Sequence, residues 1–259
     1  MDIASDGYNI DARKIEQAIS RRTSAILATH CFGIPCEVEI IDSIAKKHGL
    51  RVIYDGAHCF GSTVKDKSVF DFGDVTTCSF HATKLFHSVE GGGVFSSDEA
   101  ILEKIALLRN FGHDGPEKFN GIGINGKNSE FHAAIGLAIL PYMPAILARR
   151  KKIAHAYFDG ISHLPLALID PNMSGWNAAY IPALFQSEAQ CLRVKSALEA
   201  REIHARRYFY PSLDEVHPTT NQPCPLARSK SSRILCLPSF HTMTNEEIDQ
   251  VCKVVIDCL

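Results

Sequence analysis

The chain has no Cys-x-x-Cys pair, no His-Glu-x-x-His and no Gly-x-Gly-x-x-Gly placed after a strand. The first absence, with nine cysteines scattered singly and odd in number, argues against a disulfide frame. It predicts reduced thiols, most of them packed as small hydrophobes. The second absence, with twelve dispersed histidines, leaves no expected metal site. The third disfavours dinucleotide binding; residues 121–126 carry that spacing, but in a loop and not after a strand. Nor does one charge dominate. With 27 Lys+Arg against 29 Asp+Glu and a net charge of −2, nucleic acid is not an expected partner. No apolar run approaches the roughly 18 residues that span a bilayer, so no membrane partner is expected. The opening MDIASDGYNID has neither a basic n-region nor an apolar h-region, so no secretory signal is visible and a cytoplasmic location is expected. What remains, at 259 residues and 46% hydrophobic, is the composition of a soluble globular protein with one large domain or two modest ones.

The first half alternates strand and helix signals. Asp11 can cap a helix over ARKIEQAISRR; SAILATH (24–30) reads as a buried strand. A helix with apolar Val38, Ile41, Ile44 and Ala45 ends near Gly49, and LRVIYD (50–55) is a second strand. Strand–helix–strand at this spacing implies a parallel sheet. VTTCSF (75–80) and GGVFSS (92–97) are two further strands, DEAILEKIALLRNFG (98–112) an amphipathic helix, and 110–128 a Gly- and Asn-rich loop. SEFHAAIGLAIL (129–140) is a helix stopped or bent by Pro141, with another running from about Ala145. Beyond it, strands at 178–185, 203–208 and 233–238 with helices at 188–200 and 244–258 suggest a separate α+β unit. The expected division is 1–145 and 146–259.

Two stretches carry chemistry. In SFHATK (79–84), a lysine beside apolar Phe80, Leu85 and Phe86 can be partly desolvated, which frees a neutral amine for Schiff-base formation. In VIYDGAHCFG (52–61), Asp55 closes an apolar strand, where ligands of α/β sheets bind. A carboxylate there can keep a pyridine nitrogen protonated. Taken alone, Lys84 reads as a surface lysine, and Asp55 reads equally as a turn cap. Together they fit neighbouring positions on the carboxyl edge of one sheet.

These stretches resemble the DegT/StrS-type sugar aminotransferases, fold-type I enzymes that use pyridoxal 5′-phosphate (PLP). ATHCFGIPCEVEIIDSIAKKHGLRVIYDGAHCFGS, SFHATKLFHSVEGGGVFSSDE, GIGINGKNSEFHAAIGLAIL and RILCLPSFHTMTNEEID follow the family's landmarks in order. The resemblance implies an α/β large PLP domain with a mostly parallel sheet and a small C-terminal α+β domain. It implies that Lys84 links covalently to PLP and shuttles protons, that Asp55 pairs with the pyridine nitrogen, and that His58 lies beside the phenolic oxygen. It places Ser79 at the phosphate, and Asn125 at the phosphate of a partner subunit's cofactor, so that a homodimer shares its sites. His30 either contacts substrate or packs. Lys127 stands where the family usually has Arg, which keeps the charge and loses the planar fork. Lysine at position 84 favours transamination over dehydration, since the related 3-dehydratases carry His there.

By family habit an amino acid, often glutamate, donates to a nucleotide-linked keto-sugar, and O-antigen, capsule and antibiotic sugars are all open. Arg149, Arg150, Arg206 and Arg207 are candidates for the substrate diphosphate. Family members carry a further amino-terminal part with the turn that grips the PLP phosphate, and no stretch before Asp55 matches it. The expectation is that these 259 residues alone hold PLP weakly. The rival reading is a truncated, catalytically incompetent remnant that only dimerises.

Overall fold

The computed structural model describes residues 1–217 and 222–259. The first helical segment is a 3₁₀ turn at Ala12–Lys14 followed by α1 (Ile15–Ala18). Asp11 caps it through the Arg13 N–H, but it stops well short of residue 22. Ser20 and Thr23 are the cause: Thr23 N–H bonds the Ser20 carbonyl and Ser20 N–H the Thr23 hydroxyl, a local alternative to helical bonding. β1 (Ala25–Thr29), α2 (Val38–His48) and β2 (Arg51–Asp55) then form the expected unit. Gly49, left-handed at φ 64, closes α2. A small hairpin, β3 (Thr63–Val64) with β4 (Lys67–Ser68), precedes β5 (Val75–Ser79) and β6 (Gly92–Phe95).

The sheet order is β1-β2-β5-β6. β1, β2 and β5 are parallel, and β6 runs antiparallel to β5. One face is closed: Ile26, Ala28, Val52 and Tyr54 pack on Ala12, Ile15, Val38, Ile41 and Ala45. The other is open, with Leu27 67% exposed although it is apolar.

α3 (Glu99–Leu108), capped by Asp98, buries no residue. α4 (Glu130–Ile139) and α5 (Met143–Ile161) join through a 3₁₀ turn at 140–142 into one rod. Here the sequence expectation is corrected. Pro141 and Pro144 both sit in first-turn positions, where a missing N–H costs nothing, so the helix runs through instead of stopping. Residues 130–161 therefore include an 18-residue window long and apolar enough to cross a bilayer, and only 11% of that window is buried. The same exposed apolar face suits a helix that packs against another chain. Phe131 is 85% exposed and Leu137 69%.

The expected division at 145/146 falls in the first turn of α5, whose later residues Ile153, Ala154, Tyr157 and Ile161 enter a second, larger core. That core is built on β7 (Leu166–Ala167), β8 (Ile181–Phe185) and β9 (Ile234–Leu237), all antiparallel. α6 (Glu188–Glu199) and α9 (Asn245–Cys258) cover it; α7 (Leu213–Val216) and α8 (Pro225–Ser232) lie between. No strand forms at 203–208. Arg206 makes one two-way bridge to Cys236, and the Tyr208 N–H then turns back to the Arg206 carbonyl. All nine cysteines are free thiols.

Candidate active site

Thr29, Asp55 and Thr77 stand in register across three parallel strands; β1 and β2 end there and β5 runs on to Ser79. Beyond them the chain is sewn together by backbone bonds: His30 N–H to the Asp55 carbonyl (3.0 Å) and Gly56 N–H to the Thr77 carbonyl (2.8 Å). A Cβ at Gly56 would lie 2.8 Å from that carbonyl, so only glycine lets the strands meet this closely. Asp55 does cap its own turn, one carboxylate oxygen accepting from Ala57 N–H at 2.9 Å. Among the described residues its second oxygen has no hydrogen-bond partner and is left for something else.

His58 is buried, and its Nδ1 accepts from Phe32 N–H at 3.2 Å. A ring nitrogen that accepts carries no proton, so in the neutral ring Nε2 is the donor. Burial, helped by the Lys84 cation, pushes the His58 pKa down to about 3. The ring stacks on Phe209 at 5.4 Å with 4° between planes.

Lys84 sits half-buried on the tip of the β5–β6 hairpin. The hairpin continues past its strands through Phe80 N–H to Gly91 and Ala82 N–H to Val89, and Lys84 N–H bonds the His81 carbonyl. Phe86 stacks on Phe60 at 4.4 Å and meets Phe80 edge-on at 5.0 Å. That aromatic trio binds the Asp55–Gly61 turn to the Lys84 turn. Among the described residues no hydrogen bond occupies Lys84 Nζ, which opens on a cleft of about 370 Å³ with Tyr142, Ile146, Arg150 and Phe240. A second cleft of about 580 Å³ shares Thr83, Arg150, Ser239 and Phe240 and reaches His204 and Arg206. Ser79, at the end of β5, accepts from His81 N–H at 3.3 Å.

Asp55, His58, Ser79 and Lys84 thus converge on one sheet edge. Asn125 and Lys127 lie apart on the exposed 110–128 loop, where Lys127 Nζ donates to Asn125 Oδ1 at 2.7 Å and sits over the Phe111 ring. His30 is fully buried, stacked 4.6 Å from Tyr54, with Cys36 N–H donating to its Nδ1 at 2.9 Å. Of its two readings, packing describes these surroundings. All four arginines are engaged internally, Arg206 through its Nη1 donating to the Tyr208 hydroxyl at 2.8 Å. Arg207 holds Glu188, Arg149 the Met243 carbonyl, and buried Arg150 the carbonyls of Ala179 and Ser239; Arg206 faces the larger cleft. Among the described residues no His/Cys/Asp/Glu group is arranged to hold a metal.

Burial holds the pKa of His30 down at about 4, as it does that of His58 at about 3, both below the usual value near 6.5. A depressed histidine must be discharged to fold, so the unfolded chain binds more protons below pH 6.5. Stability is therefore complete above pH 6.5 and falls as pH drops toward 4. The expected loss is roughly 1 kcal/mol per histidine per pH unit across that range. Urea midpoints at pH 7.5, 6.5 and 5.5 read it before carboxylates titrate; a midpoint constant over that range would contradict it.

The arrangement has counterparts. The sequence matches the DegT/DnrJ/EryC1/StrS aminotransferase family over residues 1–256. The chain belongs to that family. A dTDP-4-amino-4,6-dideoxy-D-glucose transaminase of Shigella dysenteriae is 36% identical over 263 residues, 98% of this chain and 72% of that protein. A GDP-perosamine synthase of Vibrio cholerae is 26% identical over 262 residues, 98% and 71% of the two chains. Among solved structures, DesI with its TDP-sugar product superposes with a TM-score of 0.91 at 32% identity, covering 100% of this chain and 68% of that one. Helicobacter pylori PseC gives 0.90 at 27%, covering 99% and 72%.

The aminotransferase site fits PLP on its own chemistry. It offers a carboxylate with a spare oxygen, a neutral His58 whose Nε2–H is fixed as donor, a serine hydroxyl and an unbonded lysine amine. Sequence reasoning missed what supports that set: Phe32, Trp176 and Asn177. The one signal, for Trp176 and Asn177, is a tryptophan and an asparagine side by side in the mostly apolar stretch 175–183, where a polar side chain needs internal partners.

Proposed function

We propose that this aminotransferase moves an amino group from an amino acid, glutamate by family habit, to a nucleotide-linked keto-sugar destined for a surface polysaccharide such as O-antigen. The observation that carries the reading is the aromatic stack that brings Lys84 to the Asp55–His58 turn. PLP, when bound, supplies an electron sink for the electrons left at the donor's α-carbon. Lys84 Nζ would carry the α-proton from the donor's α-carbon to the cofactor carbon within one half-reaction, and a proton the opposite way in the other; Asp55 would hold a proton at the pyridine nitrogen, His58 Nε2–H would steady the neighbouring oxygen, and Ser79 would anchor the phosphate. The names of the Shigella and Vibrio relatives support a nucleotide sugar as acceptor. The apolar α4 face, with exposed Ile122 and Ile124, supports a second copy as its cover, with Asn125 and Lys127 reaching the partner's site.

Incubation with PLP and borohydride should fix the cofactor on the peptide containing Lys84. The same preparation, at twice the chain mass by light scattering, should aminate a dTDP- or GDP-linked 4-keto-6-deoxy sugar with glutamate. The open sheet face favours the rival reading, a remnant that only dimerises. A dimer with no lysine labelling and no turnover would establish it.

A further inference from the structure

Phe32 and Ala178 are non-glycine residues in left-handed backbone, at φ 56 and 53, and both are buried. Such residues persist where their surroundings over-determine them, and they gather at functional sites. Here the same short strap, residues 175–179, explains both. Thr63 N–H donates to the Gly175 carbonyl at 3.0 Å. The Trp176 indole N–H donates to the Phe32 carbonyl at 3.0 Å. Asn177 uses its whole amide: Nδ2 donates to the carbonyls of His58 (2.7 Å) and Phe60 (3.0 Å), and Oδ1 accepts from Ala179 N–H (3.0 Å). Its orientation follows from its neighbours, because the flipped amide would set an oxygen against two carbonyls. The fit leaves no slack, since a Cβ on Gly33 would lie 2.1 Å from Asn177 Oδ1.

The strap therefore grips His58 from two sides. Trp176 fixes the Phe32 residue whose N–H sets the His58 tautomer, while Asn177 fixes the His58 carbonyl itself. We propose that Trp176 and Asn177 are positioning residues, which act through Phe32 and His58 to aim the His58 Nε2–H and the Asp55 turn at the cofactor. This rests on the PLP reading above.

The test uses Trp176→Phe, which keeps the ring and loses the donor, and Asn177→Asp, which keeps the acceptor and loses both donors. In the cofactor-free chain, each should speed amide hydrogen exchange about tenfold in segments 30–34 and 56–63, the scale of one lost hydrogen bond. Exchange in α6 and α9 should not change. PLP capture at Lys84 should weaken by a similar factor, with its pH dependence displaced. Unchanged exchange at 30–34 and 56–63, or an even rise across the second core, overturns the proposal. A wild-type chain that captures no PLP defeats the functional reading alone, because the exchange data still decide the strap.

Discussion

Lys84→Ala is expected to lower amino transfer at least ~10⁴-fold while leaving the fold intact, since in the proposed mechanism one side chain serves both as covalent anchor and as proton carrier. The turn that presents it is held by main-chain bonds, and its Nζ bonds nothing among the described residues. Melting temperature and far-ultraviolet dichroism should therefore match the wild type. Lys84→Arg separates the two properties of the residue: it retains the cation but cannot supply a free amine, so it should be as inactive as alanine. An arginine variant with more than about 1% of wild-type turnover would mean that charge, not amine chemistry, is what the site needs.

Asp55→Asn should cost about 10²–10³-fold in turnover, the scale of removing one oriented charge-stabilising group from an enclosed site. Asparagine can still accept from Ala57 N–H, so the turn and its strand register should survive and stability should shift by less than about 1 kcal/mol. What it cannot do is hold a proton on a pyridine nitrogen. The loss should therefore fall on the rate constant and not on the Michaelis constant. A variant in which only the Michaelis constant moves would assign Asp55 to binding and return it to its role as a turn cap.

The local signals for the first half were readable because each rests on short-range physics. Gly49 ends α2, Asp98 caps α3, and apolar runs mark β1 and β2. The convergence of Asp55 and Lys84 was legible as two strand ends on one edge. What failed were competitions that no single residue announces. Ser20 and Thr23 truncate α1 by bonding each other's backbone, while Pro141 and Pro144 let the helix pass because each falls in a first turn. The strap was hidden for another reason. Trp176 lies 144 residues from Phe32, and Asn177 lies 119 from His58. A bond across such a span leaves no periodic trace in the chain.

The two cores are unequal. The one around β8 and α9 is the larger, and the one beneath β1 and β2 backs a sheet open on its other face. Heat should consequently melt the chain in two stages, the catalytic sheet first, with the strap's own half still folded. Stabilisation by a bound ligand grows as the logarithm of its concentration, and it would raise the first stage. In this chain the occupancy of the Lys84 site is then a measure of how much of the catalytic half is folded at all, and a protease would read it as faithfully as a spectrophotometer.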